Sequence, residues 1–273
     1  MDSIRKSAIA GSWYPGKPSV LRKDIESYFA SVPDLQLGGE VVSLIAPHAG
    51  YVYSGQVAAH AYNLIRGEKF AAVIVIGPSH RVAFHGVSIF SKGGYETPLG
   101  IVPVAEELAK DIKEFSSTIQ EIPAAHLQEH SLEIQLPFLQ IALGDFSFVP
   151  LVMGDQNEST CRDLVAAIHQ AAGNKKVLIV GSSDLSHFHN YNMATQMDAI
   201  VLNHLQNADA AGLLENMDKG ICEACGSGPM VVAMLAAGKL GATKSRILQY
   251  ANSGDITGEK SSVVGYGAAV YYK

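Results

Sequence analysis

The stretch Val41-Val-Ser-Leu-Ile-Ala-Pro-His-Ala-Gly50 decides how this chain reads. Its first six residues are almost all apolar and show no polar alternation, which marks a strand covered on both faces. The run then breaks into proline, histidine and glycine. The same order recurs twice: Ala71–Ile76 leads into Gly77-Pro78-Ser79-His80, and Lys176–Val180 into Gly181-Ser182-Ser183-Asp184-Leu185-Ser186-His187. Phe146–Met153 is a fourth buried run. Amphipathic stretches between them predict helices at Pro18–Val32, Gly55–Arg66, Val104–Phe115, Cys161–Ala172, Met193–Leu205 and Gly228–Ala237. Ser54 is expected to cap the second helix, and the turn at Pro103 to open the third. Strands that cross over through helices form a mainly parallel central sheet flanked by helices, an α/β fold. Arg246–Ala251 and Ser262–Tyr272 read as antiparallel strands around a Gly-rich loop, Ser253–Glu259.

The 273 residues amount to about 1.8 typical domain lengths. With no linker, repeat or composition shift, a single domain spanning 1–273 is the expectation. At 48% hydrophobic and 17% charged, the composition excludes a disordered chain. Twenty Lys+Arg against 26 Asp+Glu, with no basic run, excludes the electrostatic footprint of a nucleic-acid binder. Three cysteines fit a reducing cytosol better than a disulfide scaffold. The opening MDSIRKSAIAGSWYPG lacks a signal-peptide core, and no apolar run has bilayer length, so a cytoplasmic protein without a membrane span is expected.

In an open parallel sheet, ligands bind beyond the carboxyl ends of the strands, where the loops converge. Three such loops here carry His48, His80 and His187. Histidine is the commonest metal ligand, and Asp184 with His187 adds a carboxylate and an acid–base imidazole. Two histidines with a carboxylate would suit a non-haem iron site. Cys222-Glu-Ala-Cys225 is a C-x-x-C pair, yet it lies about fifty residues from the chain end, unlike a thioredoxin motif. Without a second pair, a four-thiolate zinc site is excluded. Cys225 precedes the helix-opening Gly226-Ser-Gly-Pro229, where the positive helix end favours a thiolate. Cys161 and Cys222 read as buried and inert. His126-Leu-Gln-Glu129-His130 spells H-x-x-E-H, an inverted zinc-peptidase pattern, but no downstream glutamate partner is evident. His60, His85, His169, His189 and His204 read as solvated or core histidines, with His189 near the site. Trp13, Tyr51, Tyr53 and Ser79 are the candidate walls that would contact a substrate.

These segments together resemble the Memo family, called AmmeMemoRadiSam system protein B in prokaryotes. The matching runs are Ala10-Gly-Ser-Trp-Tyr-Pro15, Ala46-Pro-His-Ala-Gly-Tyr51, Tyr53-Ser-Gly55, Gly77-Pro-Ser-His80 and Tyr95-Glu-Thr-Pro-Leu99. They continue through Glu129-His-Ser-Leu-Glu133, Ser182-Ser-Asp-Leu-Ser-His187, Cys225-Gly and Ser262-Val-Val-Gly-Tyr-Gly267. The resemblance implies a fold related to class III extradiol (LigB-like) non-haem iron dioxygenases. By motif, His48 and His80 correspond to two imidazole ligands, His187 to the acid–base position, and Asp184 to the same crevice; His130 is placed beside them as a further candidate catalytic residue. Cys225 stands where those enzymes carry a glutamate ligand. One transition-metal ion is therefore implied, iron or copper first and zinc as an option, with no organic cofactor evident. A thiolate in that position makes ring cleavage doubtful and leaves a non-catalytic peptide- or partner-binding role open. The resemblance also implies association with radical-SAM and AMMECR-type proteins. Animal members are described as phosphotyrosine-peptide binders, but no arginine cluster suited to that role is present here.

Overall fold

The computed structural model describes residues 4–273, so the first three positions of the N-terminal stretch read above lie outside it. The elements in the first half are β1 (Ile4–Arg5), α1 (Pro18–Ala30), β2 (Val41–Ala46), α2 (Tyr51–Tyr62), β3 (Ala72–Pro78), β4 (Val87–Ile89), β5 (Gly94–Thr97), β6 (Gly100–Pro103), α3 (Glu106–Glu114), β7 (Ile119–Gln120), α4 (Pro123–Leu127), α5 (His130–Glu133) and α6 (Leu136–Leu143). There follow β8 (Phe148–Met153), α7 (Glu158–Ala172), β9 (Val177–Ser182), β10 (His187–His189), α8 (Tyr191–Gln206), α9 (Ala210–Asp218), α10 (Ser227–Lys239), β11 (Lys244–Asn252), α11 (Ser253–Thr257) and β12 (Val263–Tyr272).

The four apolar runs become β2, β3, β8 and β9, each buried along its whole length. They lie side by side in the order β2-β9-β3-β8, all parallel. Antiparallel strands close both ends of this block: β12 pairs with β2, β10 and β11, and β4 pairs with β8. The nine-stranded sheet is therefore mixed, with a parallel middle. A separate three-stranded sheet, β1-β5-β6, was not foreseen from the sequence.

Two glycines show how tightly the helices press on this sheet. Ile76 and Gly181 are paired across β3 and β9, so they share a face, while Gly77 points to the other. A Cβ on Gly181 would strike Pro229 and Ala233 of α10, and one on Gly77 would strike Ser131 and Leu132. Helices α10 and α5 thus cover opposite faces, each against a backbone that has no side chain to spare.

Several helix starts differ from expectation. Helix α2 begins at Tyr51 with Gly50 at its N-cap, and the Ser54 hydroxyl instead donates to Ala49 O at 2.9 Å from within the first turn. Helices α7 and α8 start earlier, because Asn157 and Asn190 accept from Thr160 N and Met193 N. Helix α3 opens at Glu106, beyond the Pro103 turn. The Gly-rich loop holds a short helix, α11, since Asn252 and Asp255 form a reciprocal capping box. No helix among the described residues is long and apolar enough to cross a membrane.

Candidate metal centre

Adjacent strands β2, β9 and β3 end at the same edge and deliver His48, Asp184 with His187, and His80 to one crevice. The neighbouring β8 ends in Gly154-Asp155-Gln156, and α10 brings Cys225 from just before its N-terminus. Ligand atoms of His48, His80 and Cys225 all lie within 4.8 Å of one another. His48 is buried, while His80 keeps 27% of its side-chain surface open to solvent.

Hydrogen bonds fix which nitrogen each histidine offers. Ser182 Oγ donates its one proton to Ser131 O at 2.7 Å and accepts from Gln135 Nε2 at 2.8 Å. Its contact with His48 Nδ1, at 2.9 Å, must therefore be a bond that the imidazole donates. His48 Nε2 is left with its lone pair free. Gln135 is itself held by the Tyr62 hydroxyl, which donates to Oε1 at 2.7 Å. At His80, Nδ1 donates to Glu129 Oε1 at 2.8 Å, and the backbone N–H donates to Oε2 at 2.7 Å. Carboxylate behind histidine is a common arrangement for metal-binding imidazoles, because it fixes the tautomer and raises basicity.

Glu129 was not singled out from the sequence for this role; its position two residues before Ser131 hid it inside the peptidase-like pattern. Glu129, His80 and His130 form a second close trio. Both Glu129 oxygens, however, already accept from His80, and Oε1 accepts from Ser131 N as well. We read Glu129 as the residue that orients His80. Burial alone would raise its carboxyl, but the bonds from His80 win and hold it down at about 2.

Cys225 Sγ lies 3.0 Å from His48 Nε2 and accepts from Asp184 N at 3.3 Å. Burial, and then the Asp184 carboxyl, push its thiol well above the usual range. The protonated thiol donates to the free His48 Nε2. Burial drives His48 down to about 3, with His80 adding to the effect, and burial with His48 does the same to His130. Both imidazoles are neutral at pH 7. Asp184 Oδ1 accepts from His48 N at 2.7 Å, and burial raises this carboxyl to about 6. Gln156 grips the cysteine loop from β8: Nε2 donates to Cys225 O and Oε1 accepts from Gly228 N, both at 2.8 Å.

The donor set fits a transition metal: two imidazole lone pairs and a thiol that can exchange its proton for an ion. His130 adds a buried Nδ1 with no hydrogen-bond partner among the described residues, its ring 5.4 Å from that of His48.

The remaining candidates divide. Trp13 packs on His130 with ring centroids 4.3 Å apart and walls the crevice. Tyr53, in the first turn of α2, is 42% exposed. Tyr51 is enclosed in the aromatic core against Tyr14 and Phe138, its hydroxyl donating to Ile134 O at 2.8 Å. Ser79 spends its hydroxyl on Val82 O at 2.6 Å within its own loop. His187 Nδ1 donates to Leu185 O at 2.8 Å, which leaves Nε2 as a proton acceptor. His189 pairs with Glu223 at 3.0 Å.

The H-x-x-E-H pattern does not make a peptidase helix, since His126 sits in α4 and His130 in α5. His126 is buried with Nδ1 bonded to the Tyr95 hydroxyl at 2.7 Å and Nε2 to Ser88 Oγ at 2.9 Å. Both nitrogens are used, so neither is free for zinc. A buried ion pair, Arg5 with Glu133, locks this region to the N-terminal segment. Arg5 also donates to His126 O and Glu129 O, while Glu133 accepts from Ser7, Tyr14, Ala8 N and Ile9 N. Burial would raise Glu133, but Arg5 and these bonds lower it. The segment so held carries Trp13.

A MEMO1 family protein of Methanobrevibacter smithii is 41% identical over 98% of this chain and 99% of its own length. Another from Thermoplasma volcanium is 35% identical over 98% of each, and one from Sulfolobus acidocaldarius is 38% identical over 96% and 97%. Among solved structures, an uncharacterized protein from Escherichia coli K12 has a TM-score of 0.53 at 15% identity, covering 85% of this chain and all of that one. It shows the fold alone. Residues 5–270 match the family described as Memo-like protein, and the chain belongs to that family.

Proposed function

We propose that this Memo-family protein holds one transition-metal ion on His48, His80 and Cys225 and uses it for redox or oxygen chemistry on a small substrate. The observation that carries the reading is the forced tautomer of His48, whose free Nε2 points at Cys225 Sγ 3.0 Å away. Such an ion would supply Lewis acidity and, if copper or iron, a redox couple. Two imidazoles with a thiolate suit copper, iron or zinc, and the soft sulfur favours copper(I) more than a carboxylate in its place would.

The chain's own residues do the rest. Glu129 and Ser182 hold the two imidazoles in register. His187 accepts a proton at Nε2 because its other nitrogen is committed to Leu185 O. Asp184, raised to about 6, can hold a proton near neutral pH. Trp13 packs on His130, whose ring lies against those of both His48 and His80. This arrangement is consistent with descent from a dioxygenase-like crevice in which a cysteine has replaced a carboxylate ligand.

A second reading rests on that cysteine: a crevice without a carboxylate ligand binds a peptide or partner and turns nothing over. Oxygen consumption with catechols, with iron(II) or copper(I) supplied, separates the two. Turnover that disappears in His187→Ala supports the first reading. Bound metal without turnover across the catechol set supports the second.

A further inference from the structure

Behind His187 lies a buried carboxylate with no part in the centre described so far. Asp198, on α8, is fully buried. Its Oδ1 accepts from Ser186 N at 2.9 Å and its Oδ2 from the Tyr250 hydroxyl at 2.8 Å. Gly265 of β12 lies so close that a Cβ there would collide with the carboxylate. The same glycine ladders the loop, since Leu185 N donates to Gly265 O at 2.8 Å and Gly265 N to Ser186 O at 3.0 Å.

The Ser186 N–H and the Leu185 C=O belong to one peptide unit. That unit is rigid and trans, so its N–H and C=O point in opposite directions. Whatever holds the N–H aims the carbonyl. Asp198 holds the N–H, and the carbonyl then meets His187 Nδ1 at 2.8 Å. We propose that Asp198 is the positioning residue of His187: it orients the Leu185–Ser186 peptide so that the imidazole keeps its proton on Nδ1 and presents Nε2 to the crevice.

The next residue shows that this loop is held against its own preference. Phe188 has φ +63°, a region that bulky L residues avoid, and it is 75% exposed. The strand register shifts between His187 and His189, so Phe188 is the bulged residue of β10, unpaired opposite β12. Its ring meets His187 edge-on at 5.6 Å. Neither burial of the side chain nor regular pairing accounts for that conformation. The anchors at 185–186, the Gly265 backbone and the Asp198 carboxylate, do. Such strain persists only where the surroundings over-determine it, and it gathers at functional sites.

The proposal depends on the metal-centre reading for what His187 does, but not for how it is held. The test is nitrogen-15 NMR of the histidine side chains at pH 8, in both metal-free and zinc-loaded protein. The wild type is expected to show His187 predominantly as the Nδ1–H tautomer; a mixed or Nε2–H form would overturn the proposal without any variant. Asp198→Ala should raise the Nε2–H to Nδ1–H ratio about tenfold, the worth of one hydrogen bond. Asp198→Asn, which can still accept from Ser186 N, should restore the wild-type ratio. Should Asp198→Ala fail to fold, Gly265→Ala displaces the carboxylate and should give the same change. A wild-type ratio in a folded Asp198→Ala or Gly265→Ala protein would overturn the assignment, whatever the metal content proves to be.

Discussion

Cys225 Sγ and His48 Nε2 stand 3.0 Å apart although 177 positions separate them in the chain. Neither side chain could be placed there by local structure alone. The contact exists because β2 and β9 are neighbours and because α10 starts above the end of β9.

The thiol makes metal binding depend on pH. Burial and Asp184 hold Cys225 protonated at neutrality, whereas burial keeps His48 neutral. Binding therefore releases about one proton, from the cysteine. Affinity should rise about tenfold per pH unit between roughly pH 6.5 and 8.5. Competition titrations against a chromophoric chelator would check this, and the dependence should vanish in Cys225→Ser.

Glu129→Gln should weaken metal binding by about 10- to 100-fold, the usual cost of losing the group behind a ligating histidine. The amide still accepts from His80 N, so the fold should survive. An unchanged dissociation constant would show that His80 does not depend on this carboxylate.

Breaking the Arg5–Glu133 pair should be the most damaging single change outside the centre. Arg5→Met leaves Glu133 buried without its cation, at a cost of about 3–5 kcal/mol. Urea unfolding of the single variants and of Arg5→Met with Glu133→Leu would measure it, and the double variant should recover part of the loss.

His126 should make the protein acid-sensitive. Burial, and then Arg5, lower its proton affinity to about pH 3, while an unfolded chain protonates it near the ordinary histidine value of about 6.5. Between these values the unfolded state binds the extra proton, so stability falls as pH drops. From pH 7.5 to 5 this one residue should cost about 2 kcal/mol. His126→Gln removes that term, so its deficit against wild type at pH 7.5 should shrink by about that amount at pH 5. The variant should also retain metal.

The parallel block was legible because β2, β3, β8 and β9 are mostly apolar and show no polar alternation, whereas their order in the sheet was not. His48, His80 and His187 stood out as candidates because each lies in the segment that such a strand runs into. What escaped notice depends on contacts between distant segments. Glu129 behind His80, Ser182 behind His48 and Asp198 behind Ser186 are ordinary polar residues until the fold brings their partners. Tyr51 looked like a pocket residue beside Tyr53, but two positions along a helix turn a side chain by about 200°, and Tyr51 faces the aromatic core. The β1-β5-β6 sheet escaped because its strands are two to four residues long, too short for a periodic signal.

The most direct measurement is the metal content of protein purified without oxygen, compared among wild type, His48→Ala and Cys225→Ser. The account predicts close to one equivalent of a transition metal in wild type and a loss of most of it in both variants, with the folded state intact by circular dichroism. Equal metal content in all three would contradict it.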